Sequence, residues 1–131
     1  MSKHYLAVDL GAESGRVMLG TVGEESLGLE ELHRFANLPL EQGDALTWDL
    51  DTLFKEIKEG LAKAGGLGLT IDAVSVDSWG VDYVLLDESG TIMPPAYHYR
   101  DGRNKPAAEE LLGRISWEDL RGSHPARHTT P

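Results

Sequence analysis

Cysteine is absent from the 131-residue sequence. Its absence excludes disulfide scaffolds, thiolate zinc fingers, cysteine nucleophiles and thiol redox chemistry, and it permits a reducing compartment. Long apolar runs are also missing: the stretch from Val81 to Leu86 is interrupted by Asp82 and falls far short of the roughly 20 residues that span a bilayer. The N-terminus, Met1-Ser2-Lys3-His4, enters Tyr5-Leu6-Ala7-Val8-Asp9 too quickly for a secretory signal, so the sequence reads as cytoplasmic, with no membrane partner.

Positive charge is scarce. Lys and Arg number 12 against 22 Asp and Glu, giving a formal net charge of −10. The imbalance is uneven: residues 1–99 hold 6 basic and 17 acidic side chains, whereas residues 100–131 hold 6 and 5. An acidic body repels phosphate backbones, which excludes nucleic acid as the expected partner. What is present is ordinary for one globular domain: 40% hydrophobic residues, 26% charged, and no repeat or low-complexity tract.

Glycine punctuates the first third. Tyr5 to Asp9 reads as a buried strand stopped by Gly11, and Arg16 to Val22 as a second strand antiparallel to it. Leu29 to Asn37 has no clean face and is taken as a third meander strand. Leu50, Leu53, Phe54, Ile57, Leu61 and Ala64 recur at helical spacing, with Asp49 as N-cap and Gly65-Gly66 as stop. Ile71 to Asp77 returns as a strand, and 83–87 with 91–93 form a hairpin ended by Pro94-Pro95. Pro106 is placed as the first residue of a helix, and Ser116-x-x-Asp119 as the capping box of another. The order predicts an α/β domain with a mixed sheet, meander strands and flanking helices, as in the ribonuclease-H-like, actin-like ATPase layout.

Three segments carry chemistry. In Asp9-Leu10-Gly11-Ala12-Glu13-Ser14-Gly15-Arg16, the glycines allow backbone N–H groups to turn inward as an anion nest, Ser14 adds a hydroxyl donor and Arg16 a charged fork. Asp9 is the candidate metal residue, through water on magnesium; an ordinary Gly-rich hairpin is the competing explanation. In Asp77-Ser78-Trp79-Gly80-Val81-Asp82-Tyr83, a flat indole beside a glycine, with two carboxylates, suits a sugar. Trp79 as core and the carboxylates as solvated strand ends is the alternative. Tyr97-His98-Tyr99-Arg100-Asp101-Gly102-Arg103-Asn104 is dense in donors and aromatic surface and lines the same cleft in this reading. Asp9 and Asp77 at neighbouring strand ends would also suit a two-metal nuclease, which the net charge opposes. P-loop and Rossmann phosphate motifs are absent, and the five histidines show no metal-ligand spacing.

The motifs VDLGAESGRVMLG, HRFANLP, LTWDLDTLFKEIKEGL, SVDSWGVDYVLLDESG and YHYRDGR, in this order, resemble the N-terminal part of the FGGY carbohydrate kinases, in their rhamnulose-phosphorylating branch. The resemblance runs from Tyr5 to Asp119. It implies ATP-dependent phosphorylation of L-rhamnulose to L-rhamnulose 1-phosphate, with ATP and Mg2+ as cofactors and the sugar as partner; another ketose or polyol of the family, or a non-catalytic sugar-binding fragment, is the alternative. Ala12, Glu13, Ser14, Gly15 and Arg16 match the family's first ATP-phosphate loop, and Asp9 the carboxylate near its metal. Gly80 matches a sugar-contacting position, with Trp79 and Asp82 beside it, and Tyr99, Asp101 and Arg103 match a motif supporting that pocket. The family's general base lies beyond this chain, so no catalytic residue is expected here, and a missing C-terminal domain is the expected intramolecular partner. Residues 1–120 are thus read as a truncated kinase domain and 121–131 as a divergent, disordered tail.

Overall fold

The computed structural model describes residues 2–122. β1 (Lys3–Leu10), β2 (Ser14–Val22) and β3 (Leu27–Ala36) form the expected antiparallel meander. A small hairpin, β4 (Leu40–Gln42) and β5 (Ala45–Thr47), leads into α1 (Leu50–Gly65), and the chain then returns as β6 (Ala73–Asp77), parallel to β1. The resulting mixed sheet has the order β3-β2-β1-β6. β7 (Leu85–Leu86) and β8 (Ile92–Met93) make a short ribbon, followed by α2 (Asn104–Arg114) and α3 (Trp117–Gly122). No helix among the described residues is long and apolar enough to cross a membrane.

α1 forms where its signals predict. Asp49 accepts from Thr52 N (2.9 Å) and from the Thr52 hydroxyl (2.7 Å), Asp51 sits in the first turn and Lys63 in the last. Its apolar stripe covers one sheet face, where Leu6, Val8, Val17, Leu19 and Ala64 are buried together. Gly60 lets the helix approach: a Cβ there would overlap Val17. A second cluster gathers Phe35, Trp48, Leu53 and Ala96, and Leu10 and Ile57 pack against both.

Some boundaries differ from the sequence reading. The expected hairpin at 83–93 shrinks to two register pairs, Leu85↔Met93 and Leu86↔Ile92, because the Asp87 carboxylate accepts from the N–H groups of Ser89 and Thr91 and holds a wider turn. Pro106 is the third residue of α2, not the first. Gly66 ends α1 in right-handed conformation (φ −68°), and the left-handed residue is Gly68 (φ 68°). Ser116 caps α3 as expected, its hydroxyl accepting from Asp119 N at 3.1 Å. α3 carries Arg121 and Gly122; the rest of the expected tail, with His124 and His128, lies outside the described residues.

Candidate functional site

The sheet register aligns four charged residues. Asp77 on β6 pairs with Asp9 on β1, Asp9 with Arg16 on β2, and Arg16 with Arg34 on β3. One row therefore crosses the whole sheet, with two carboxylates on one half and two guanidinium groups on the other. Arg16 Nε lies 2.8 Å from Asp9 Oδ2, close enough for an ion pair although not aligned as a hydrogen bond. Both side chains remain about two-fifths exposed, so the pair is available to exchange partners.

The turn that follows Asp9 is rigid. Gly11 N donates to Ser14 O (3.0 Å), and Asn37, buried just past β3, clamps both ends of the turn. Its Nδ2 donates to Gly11 O (2.7 Å) and its N–H to Glu13 O (3.0 Å). Ala12 and Glu13 are exposed at the tip, and Ser14 Oγ accepts from Arg34 Nη1 at 3.3 Å. The glycines serve a different purpose from the one expected. Neither Gly11 nor Gly15 has positive φ, so the alternating-handed nest is not formed. Gly15 is required because a Cβ there would overlap the Phe35 ring, and Gly11 because a Cβ would crowd Ser14 O at 2.9 Å. The polar side chains gathered at this turn are Ser14, Arg16 and Arg34, the last also paired with Glu31. Arg34 and Asn37 escaped the sequence reading, since only register and tertiary contact bring them here.

The second constellation is built around stacked rings. Trp48 stacks on Trp79 (centroids 4.1 Å) and lies 4.2 Å from His98, which stacks on Tyr99 at 4.3 Å. Trp48 Nε1 donates to Asp82 Oδ2 (2.7 Å), fixing that carboxylate at the edge of the stack. Residues 96–98 hold the arrangement by pairing with β5: Trp48 N donates to Ala96 O (2.8 Å) and His98 N to Leu46 O (2.9 Å). The guanidinium of Arg103 lies 3.0 Å over the Tyr97 ring.

Asp101 is a support and not a wall. It is buried, and its carboxylate accepts from Leu46 N (2.6 Å) and Arg103 N (2.9 Å), bonds that hold its pKa below the usual carboxylate range. His98 is shifted in the same direction by a different cause. Burial disfavours its charged form and lowers its pKa, and Nδ1 accepts from Arg100 N (2.9 Å), leaving the ring proton on Nε2.

A cleft of about 430 Å³ lies between α1 and the ring stack. Leu10, next to Asp9, lines it together with Trp48, Trp79 and Asp82. A smaller hollow of about 230 Å³ abuts it through Asp82 and contains Tyr99 and Arg103. Trp79 Nε1 is buried with no acceptor among the described residues, a donor that a ligand oxygen would satisfy. Gly80 is exposed and lines neither space. Away from the cleft, His33, Glu56 and Glu59 bring three ligand atoms within 4.8 Å of one another. Their elements are remote in sequence, which is why histidine spacing missed them. Lys63 Nζ already sits 2.8 Å from His33 Nδ1, and Glu56 Oε2 lies 2.7 Å from Nε2, so both ring nitrogens are engaged.

No family model matches the chain. Curated relatives do. It is 43% identical over 122 residues to a rhamnulokinase of Enterobacter sp. (strain 638), which covers 92% of this chain and 25% of that protein. It is 40% identical to the rhamnulokinase of Bacteroides thetaiotaomicron over 93% of this chain and 25% of the relative. Against that of Klebsiella pneumoniae (strain 342) the identity is 48%, over 86% and 24%. The chain thus spans about a quarter of the length of these relatives, and the resemblance to carbohydrate kinases read from its motifs holds. Among solved structures, gluconate kinase from Lactobacillus acidophilus superposes with a TM-score of 0.69 at 13% identity, covering 87% of this chain and 23% of that one. The fold is the actin-like ATPase fold, incomplete here.

Proposed function

We propose that this chain is the phosphate- and sugar-facing portion of a kinase that transfers the γ-phosphoryl group of ATP to the 1-hydroxyl of L-rhamnulose, in the cytoplasm. The observation that carries this reading is the row of Asp77, Asp9, Arg16 and Arg34 across the sheet; the Trp79–Asp82 wall lines a separate cleft. Rhamnulokinases as relatives support the choice of sugar.

Phosphoryl transfer depends mostly on positioning and charge stabilisation. Ser14, Arg16 and Arg34 supply donors for phosphate oxygens on one half of the charged row. The carboxylates of Asp9 and Asp77, side by side at strand ends, would hold Mg2+ as hard oxygen donors. Magnesium, when bound, neutralises charge on the phosphates. On the sugar side, Trp79 presents a ring face and a free indole N–H. The Asp82 carboxylate, oriented by Trp48, accepts from sugar hydroxyls, and Tyr99 and Arg103 close the adjoining hollow. Asp101 acts through the backbone it holds. No side chain of this set takes the hydroxyl proton. That role falls to a part of the kinase outside the quarter of the relatives' length that this chain spans.

A coupled ADP-release assay with L-rhamnulose, ATP and Mg2+ tests the reading, run on this chain beside a version extended to the full length of its relatives. Turnover is expected only in the extended protein, lost in Arg16→Ala. Turnover of a different ketose or polyol by the extended protein would replace the substrate. Sugar binding with no turnover in either would replace the activity by a binding role.

A further inference from the structure

We propose that His33, Glu56 and Glu59 form a binding site for a divalent transition-metal ion, with Zn2+ as the best fit, which fastens β3 to α1. The inference does not depend on the functional reading. All three ligands belong to the packed first half of the chain, and β3 is the outer strand on the opposite side of the sheet from β6.

His33 reaches the helix because β3 is irregular. Its register with β2 slips between Val17 and Met18, leaving Leu32 as an extra residue immediately before His33. Bulges of this kind re-aim the side chains beside them. His33 pairs with Val17, against which Gly60 packs, and a Cβ on Gly60 would come within 3.3 Å of His33 Cβ. The imidazole therefore lies close against α1, flanked by the Phe35 ring with centroids 5.7 Å apart, and its side chain is only 11% exposed. Glu56 and Glu59, three residues apart, share a face of the helix. One ligand atom from each of the three residues lies within 4.8 Å of the other two.

The donor set selects the ion. One imidazole nitrogen with two carboxylate oxygens suits zinc, whereas magnesium and calcium take oxygen shells. Bonds of about 2.0–2.2 Å space tetrahedral ligands roughly 3.4 Å apart. His33 Nε2 and Glu56 Oε2, at 2.7 Å, open slightly to admit the ion, and the half-exposed Glu59 rotates in. Water takes the fourth position. Two exposed lysines compete for the same groups: Lys63 Nζ lies 2.8 Å from His33 Nδ1, and Lys55 Nζ 3.8 Å from Glu59 Oε1. With Lys63 donating to Nδ1, the ring proton sits on Nε2 and is directed at Glu56. Zinc on Nε2 moves that proton to Nδ1 and turns Lys63 out to solvent, with no net change in protons on the ring.

Calorimetric titration of the chelator-treated 131-residue protein with ZnCl2 tests this. Excess Mg2+ occupies Asp9 and Asp77, and His124→Gln with His128→Gln in every sample removes the other closely spaced histidines. One equivalent is expected to bind. His33→Gln should abolish that binding, and Glu59→Gln should weaken it at least ~10-fold. Lys63→Met should tighten it about tenfold, because it removes a positive charge beside the ion. Zinc should also raise the melting temperature, and not in His33→Gln, since folding alone brings β3 and α1 together. No saturable binding, equal binding in His33→Gln, or an affinity that Lys63→Met leaves unchanged or lowers would each overturn the proposal.

Discussion

Val8 and Val76 are register partners on neighbouring strands, facing the same side of the same sheet, yet Val8 is 1% exposed and Val76 60%. Leu6 and Val74, two residues away, repeat the contrast at 4% and 52%. Residue type and pleat are matched, so the difference comes from what lies above: α1 covers the meander side and nothing among the described residues covers β6. The asymmetry extends along the chain. Among the described residues, Ala96 is the only buried hydrophobic residue beyond Ala64. The first half is therefore a packed unit, and the second half is an apolar surface hung on it through backbone pairing and a few buried polar groups.

The largest effect should separate the two valines. Val8→Ala is expected to lower unfolding free energy by about 2–3 kcal/mol, from lost burial plus a residual cavity, and Val76→Ala by less than about 0.5 kcal/mol. Urea denaturation of both measures the difference. Equal losses would mean that β6 is covered in solution and would erase the contrast.

Asn37→Ala sharpens the comparison inside the packed half. It removes the side-chain donor to Gly11 O beneath a turn that belongs to the site and not to the core, and should cost about 1–2 kcal/mol. Hydrogen exchange is the better probe, because the Gly11 amide should lose protection while the Val8 amide keeps it. Parallel loss at both would show that Asn37 supports the whole sheet.

The smallest effect belongs to the second half and depends on pH. His98 has its pKa lowered below 6.5 by burial, so the unfolded chain takes up a proton there before the folded one does. Its contribution is present above pH 6.5 and is lost as the pH falls below that value. Asp101 has its pKa lowered below 3.8, chiefly by the hydrogen bond from Leu46 N. Its contribution is intact above that pH and disappears as the pH drops through the folded value. Melting temperature should decline in two steps on acidification, and His98→Asn should remove the first alone.

Local signals made much of this legible. α1 was readable because a 3.6-residue period, an N-cap and a glycine stop agree, and β1 and β2 because apolar runs are bounded by glycine. The actin-like order followed from these elements, and with it the adjacency of Asp9 and Asp77. Arg34 was not readable as a neighbour of Arg16, because the slip around Leu32 changes which β3 residue faces β2. Trp48 and His98 lie fifty residues apart, and nothing periodic announces that β5 brings them into one stack. The glycines of the Asp9–Arg16 turn were found without their packing role, because composition reveals a missing side chain without revealing whether conformation or close packing requires it.

Gly60 shows where that ambiguity has practical weight. In an isolated helix, exchanging glycine for alanine gains about 1 kcal/mol, which makes mid-helix glycines the usual first targets for thermostabilisation. Here the methyl would collide with Val17 at the centre of the core, so the position behaves as a spacer that sets the distance between helix and sheet. An engineer ranking α1 by propensity would begin at the one site where the sign of the effect is reversed.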